Sequence, residues 1–275
     1  MNPRTRSAST VAALALCITA FAFSAVSAVA EDFADKLVAP GKLTIGTTGS
    51  SPPSTMYDED AELVGIDIDL ATKIAGDLGL EPEFVVLDWS GMLAGVQAGR
   101  FDMVASSVSR TPERVASADF FVTQAYIANG TAAAMHADNT EIKGWADICG
   151  KRIGIVKGAA QIRNVVEKFG EDCVGTPQEY PGWTELLLDL RNKRIDVLVG
   201  NYITPAYLIK STNRPLKMLE EPLAVGGNAL VIQPGNEALA MKIDELLTGY
   251  REDGSLNAIA ETWVGKALDL STVAQ

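Results

Sequence analysis

The chain is expected to fold as two α/β lobes joined by two extended crossing segments, and three observations in its 275 residues carry that expectation. Short apolar runs alternate with helix-patterned stretches, which implies strands lying parallel within each sheet. The order of elements that starts at Lys42 starts again at Lys151, so the two halves predict similar lobes. Between them, AYIANGTAAAMHAD (125–138) is an extended run of small residues with no helical stripe, and PLAVGGNALVIQPG (222–235) brings the chain back. Two such crossings make a hinge, to which Gly226 and Gly227 lend backbone latitude; a bulge or simple turn is the other reading of that pair.

Ahead of the first lobe, Arg4 and Arg6 precede a mostly apolar run from Val11 to Val26, and Ala28-Val29-Ala30 stands just before Glu31. This is the layout of a secretory signal peptide, with cleavage expected after Ala30. The run has 16 residues, shorter than the ~20 that a membrane-spanning helix needs. Leu16 precedes Cys17, where lipoprotein processing wants a small residue, so a soluble periplasmic product is expected. Residues 31–275 hold 21 basic against 35 acidic residues, a net charge of −14 that argues against nucleic acid or an anionic membrane surface as partner. Acidity that simply keeps an exported protein soluble explains the same number. A chain of 245 residues is long enough for a sizeable core, most naturally in two lobes.

In the first lobe KLTIGTT reads as a strand, GSSPPS as a loop and YDEDAEL as a hairpin-like turn. GIDIDLATKIAGDLGL follows as a helix, because Ile66, Leu70, Ile74 and Leu78 recur every four positions, with Asp67 and Asp69 in the N-terminal turn that favours acids. Glu83–Leu87 is the next strand, Ser90–Ala98 a helix, and Asp102–Ser106 a strand that ends in a polar loop. In the second lobe KRIGIVKG is a strand running into the helix AAQIRNVVEKFG, whose first N–H groups point beyond the strand. A loop with Pro177, Pro181 and Gly182, the helix WTELLLDLRNKR and the strand IDVLVGN complete it; two helices, from Asn236 and from Ser255, close the chain.

Cys149 and Cys173 remain after export, in a compartment that permits oxidation. A bridge between them closes a loop of about 25 residues, worth roughly 3 kcal/mol in the chain-entropy model; two free thiols are the alternative. His136, the one histidine, has no ligand-like neighbour at useful spacing, so neither a metal nor any other cofactor is expected.

The stretch from Asp88 to Arg114, DWSGMLAGVQAGRFDMVASSVSRTPER, carries the strongest functional signal. It places Ser106, Ser107, Ser109, Thr111 and Arg114 just past the carboxyl end of a strand, where open α/β sheets bind ligands, and so looks built to hold a small anion. A solvated arginine beside strand-breaking serines is the plainer reading.

At this point the sequence resembles the solute-binding proteins of ABC importers, polar amino-acid class. The resemblance rests on GIDIDLATKIAGDL, on W-x-x-x-L and GRFD followed by SSVSRTPER and ADFF, and on CGKRIGIVKG, in that order over nearly the whole exported chain. It implies the type II periplasmic-binding-protein fold, an α/β clamp with residues 31–128 and 225–275 in lobe one and 129–224 in lobe two. It further implies that Arg114 holds a ligand α-carboxylate, as guanidinium geometry suits. Trp89 is then the stacking wall, Ser107 and Ser109 are hydrogen-bonding partners, and N–H groups at Ala159–Gln161, Ala160 foremost, reach the carboxylate from lobe two. Closure presents the loaded clamp to the transmembrane permease, and a monomer is expected.

Three positions depart from the family pattern. An Asp that commonly pairs with the ligand ammonium at the end of the lobe-two strand is Asn201; a Thr after the lobe-two glycine is replaced by Ala159-Ala160; an aromatic after the first strand is replaced by Ser50 or Ser51, which leaves Trp89 as the single expected stacking surface. Together they suggest a ligand with a carboxylate but an altered, substituted or absent ammonium. The alternative is that Asp58 or Thr48 rescues the ammonium, since buried charges rarely stay unpaired. Two other functions share the fold: a cyclohexadienyl dehydratase, which needs a general acid that Asn201 cannot be, and a receptor's sensing module, which the chain's end at Gln275 without a following span disfavours.

Overall fold

The computed structural model describes residues 33–264; the expected export signal and its cleavage site lie outside the described residues. Lobe one begins with β1 (Lys42–Thr47) and a small antiparallel sheet of β2 (Ser50–Ser51), β3 (Thr55–Tyr57) and β4 (Leu63–Val64). Helix α1 (Ile66–Asp77), β5 (Glu81–Val86), a 3-10 turn at Trp89–Gly91, α2 (Met92–Gln97), β6 (Met103–Ser109), α3 (Pro112–Val115) and β7 (Phe121–Val122) follow. The fourfold spacing in α1 does what it predicts: Ile66, Leu70 and Ile74 are buried, each worth about 2 kcal/mol of removed apolar surface. They pack with Leu43 and Ile45 of β1 into the lobe-one core.

The crossing strand β8 (Ile127–His136) leads to lobe two. Its elements are β9 (Ile153–Val156), α4 (Gln161–Phe169), α5 (Glu171–Val174), β10 (Gln178–Tyr180), α6 (Trp183–Arg191), β11 (Val197–Asn201), α7 (Ile203–Thr212) and β12 (Leu216–Met218). Strand β13 (Ala224–Ile232) returns, and α8 (Glu237–Glu252) and α9 (Ser255–Val264) close the described chain. Along β11 the faces alternate: Val197 and Val199 pack with Val165 of α4, whereas Leu198 packs with Leu186, Leu187 and Leu190 of α6. A strand clothed on both faces has to be apolar throughout, which is why VLV is. Cys149 and Cys173 form a disulfide in this lobe.

One sheet runs through both lobes in the order β10-β9-β11-β8-β13-β6-β1-β5. The expected parallel arrangement holds for β5, β1 and β6 and for β10, β9 and β11; the two crossing strands pair antiparallel with each other and with their lobes. Gly226 and Gly227 form neither bulge nor turn: they sit in register opposite Asn129 and Ala128. The close approach at the hinge is instead at Gly130, where a Cβ would lie 2.4 Å from the Ala224 carbonyl oxygen. Strand β10 and helix α7 were not expected from the sequence, because the first is three residues between prolines and the second has no clear amphipathic stripe.

Candidate functional site

The serines expected in a loop are strand residues. Pairing of Ser109 with Asn228 of the returning strand carries β6 three residues past Ser106. The register breaks between Ala229 and Val231, and opposite that irregularity Ser107 has φ +52°, a region that non-glycine residues enter only when their surroundings hold them there. What holds it is Asp67. The Ser107 N–H donates to Asp67 Oδ2 at 2.6 Å and the Tyr126 hydroxyl donates to Oδ1 at 2.6 Å. Burial pushes the Asp67 carboxyl up to about 6, although both hydrogen bonds pull it down. Asp67 thus does more than sit near a helix dipole: it ties α1, the serine strand and the start of the crossing strand together.

At the end of β6 the Thr111 hydroxyl caps α3 by accepting from the Arg114 N–H, with Pro112 in the first turn. The cap turns the Arg114 side chain inward, where Nη1 donates to the Ser109 carbonyl at 2.8 Å and the guanidinium lies 5.6 Å from the Trp89 ring centre. Burial lowers its pKa to about 10, with a smaller push from Arg163, so the group stays charged at neutral pH. Among the described residues no carboxylate makes an ion pair with it.

Lobe two closes the other side. Ala160 precedes the first turn of α4, where the Arg163 N–H donates to the Ala160 carbonyl; the Ala159 N–H, expected to reach the ligand carboxylate, donates instead to the Val156 carbonyl, which leaves the N–H groups of Ala160 and Gln161 for that role. The Gln161 Nε2 donates to the Ser109 Oγ at 2.7 Å across the cleft, and Arg163 lies 3.5 Å from Glu113. Between the jaws a cavity of about 50 Å³ is lined by Ser51, Trp89, Ser106, Ser107, Ser109, Arg114, Val156, Ala159, Ala160, Gln161, Trp183 and Asn201. A second cavity of about 270 Å³ adjoins it behind the Ser109–Gln161 contact, against the crossing strands.

Seven of the eight expected binding residues therefore meet in one space: Arg114, Trp89, Ser107, Ser109, Ala160, Asn201 and Ser51. Thr48 does not line it; its Oγ1 accepts from Ser106 Oγ at 3.1 Å and its N–H donates to the same oxygen, so it stands behind the wall. Asp58 is also elsewhere, with Oδ1 accepting the N–H groups of Asp60 and Glu62 in an exposed turn. Trp89 is not the single aromatic wall. Trp183 shares the cavity from lobe two, and it lies flat on β11 because Gly200 has no side chain: a Cβ there would be 2.6 Å from the Trp183 Cη2. The signal for Trp183 was a tryptophan right after Gly182 at a helix start facing the strand ends.

Comparison with known proteins agrees with an α/β fold of two lobes. The model of bacterial extracellular solute-binding proteins, family 3, matches residues 43–266. The chain belongs to this family. Among family-3 relatives, the L-cystine-binding protein TcyJ of Escherichia coli (strain K12) is 28% identical over 237 residues, covering 86% of this chain and 87% of that protein. An ancestral arginine-binding protein bound to arginine is 30% identical, with a TM-score of 0.75 over 82% of this chain and 99% of that one. The ancestral amino acid-binding protein AncCDT-1, a precursor of cyclohexadienyl dehydratase, is 24% identical with a TM-score of 0.72, a likeness of fold alone. In this family-3 chain the arginine, two tryptophans and the helix start line one cavity between the lobes.

Proposed function

We propose that the protein is the extracytoplasmic binding component of an ABC importer, capturing an amino acid or amino-acid-like carboxylate between its lobes and handing it to the permease. The observation that carries this reading is Arg114, a buried guanidinium in the cleft with no carboxylate partner among the described residues. A buried cation of this kind is costly unless a ligand anion completes it. The relatives named for amino acids, cystine and arginine among them, agree with that chemistry. Export with cleavage after Ala30 and action as a monomer in the periplasm belong to the same proposal. So do the lobe limits of 31–128 with 225–275 and 129–224, supported by the pairing of β8 and β13 with each other over Ile127–Thr131 and Ala224–Asn228, from which β8 goes on to β11 at Thr131 and β13 to β6 at Asn228.

A binding role is favoured over dehydratase chemistry because the cavity wall contains no carboxyl that could serve as general acid. Mass spectrometry of the solute that co-purifies with the exported protein, followed by calorimetry with that solute on the wild type and on Arg114→Ala, tests the proposal. A carboxylate that binds the first and not the second supports it; release of phenylpyruvate from prephenate by the pure protein would replace it.

A further inference from the structure

The cleft also states what the solute carries next to its carboxylate. Asn201 ends β11 in the cavity wall, facing lobe one. Its amide is oriented by a backbone group: the Thr204 N–H, in the first turn of α7 and without an intrahelical acceptor, donates to Asn201 Oδ1 at 3.0 Å. That bond takes one lone pair of the oxygen, while Nδ2, which donates and cannot accept, meets no partner among the described residues. Ser107 adds a hydroxyl that is buried with no hydrogen-bond partner among the described residues.

Among the described residues no acid in the cavity wall compensates. Both Asp67 oxygens are taken by Tyr126 and Ser107, and the side chain is buried behind the wall. Glu113 and Glu167 line the adjoining cavity, not this one, and Glu113 faces Arg163. An ammonium beside the Arg114-bound carboxylate would meet the Asn201 N–H₂ group and no carboxylate of the cavity wall, which is unfavourable for a buried cation.

We propose that the head group is a carboxylate with a hydrogen-bond acceptor where an amino acid has its α-ammonium, the acyl oxygen of an N-acyl amino acid or the keto oxygen of a 2-oxo acid, and that Asn201 is the residue that selects it. This rests on the reading above that the cleft takes an amino-acid-like carboxylate. Protein freed of bound solute by unfolding and refolding would be screened by thermal shift, then calorimetry. The probes are L-cystine and the standard L-amino acids, together with their N-acetyl and 2-oxo counterparts. In the wild type, at least one N-acetyl or 2-oxo probe should bind roughly tenfold or more tighter than its parent amino acid. Asn201→Asp keeps one oxygen for Thr204 and offers the other, so it should reverse that order for the same side chain. Which counterpart responds separates the acyl from the oxo source. A free amino acid that binds the wild type as tightly as or tighter than its counterparts overturns the inference and leaves the parent reading standing. Silence from every probe in both proteins overturns both.

Discussion

Arg114 and Asp67 are two buried charges in the same lobe with opposite consequences. Arg114 is held by a backbone carbonyl and an aromatic face, which orient it without neutralising it. Arg114→Ala should leave the thermal midpoint nearly unchanged and cost about 3–5 kcal/mol of binding, the usual loss when one partner of a buried pair is removed. Calorimetry with the co-purifying solute reads it, and wild-type affinity in the variant would place the site elsewhere. Asp67 is different because its carboxyl is raised to about 6 in the fold against an ordinary 3.8. The native state then holds its proton more tightly than the unfolded chain. Its contribution is complete below about pH 4 and is lost as pH rises through 6, on the order of 3 kcal/mol. Asp67→Asn keeps one oxygen for the Ser107 N–H and turns its N–H₂ to the Tyr126 hydroxyl, which then accepts, so the variant should gain on the wild type between pH 4 and 7 in denaturant titrations. An unchanged difference across that window would show that the carboxylate is not strained by burial.

At the scale of elements, the site depends on what two strands and two helix starts do at their ends. Strand β11 brings Trp183 into the cavity only because Gly200 leaves room for its ring. Gly200→Ala should cost about 1–3 kcal/mol by overpacking and weaken solute binding together with it. A variant with normal stability and weaker binding would mean that the ring has moved off the strand. Helices α3 and α4 face each other across the cleft through Glu113 and Arg163, both half exposed. Such a pair contributes little, so Glu113→Gln should change affinity by less than about threefold, measured at physiological salt. The part-buried Gln161–Ser109 hydrogen bond is the other bridge between the jaws.

Across the whole molecule, one continuous sheet makes the two lobes mechanically dependent on β8 and β13. Asn129 concentrates that dependence: its Oδ1 accepts the N–H groups of Gly130, Tyr202 and Ile203 while its Nδ2 donates to Asn228 on the returning strand. The start of α7, whose first turn also fixes Asn201, is thereby fastened to the hinge. The Cys149–Cys173 disulfide lies in lobe two, away from the cavity wall. Replacing both cysteines by alanine should lower unfolding stability by roughly 3 kcal/mol and leave solute affinity unchanged, as denaturant and calorimetric titrations would show. An affinity loss of tenfold or more would mean that lobe two needs the bridge to shape the cleft.

Sequence alone was enough for whatever follows from local period and order. The fourfold stripe of α1, the apolar run of β11, the repeated strand-helix order and the extended character of the crossings are all one-dimensional signals. Even the approach of Arg114, Trp89 and Ser107 is legible, because they come from one continuous stretch. Three things were decided only by tertiary structure. Strand β6 runs through the serines because β13, more than a hundred residues later, pairs with it. Trp183 becomes a wall because a glycine on a neighbouring strand makes space. Ser107 is held at positive φ because Asp67, forty residues earlier, accepts its N–H. Each is a contact between residues whose spacing follows no repeat, and hydrogen-bond direction is set by the partner, which the sequence of one residue does not contain.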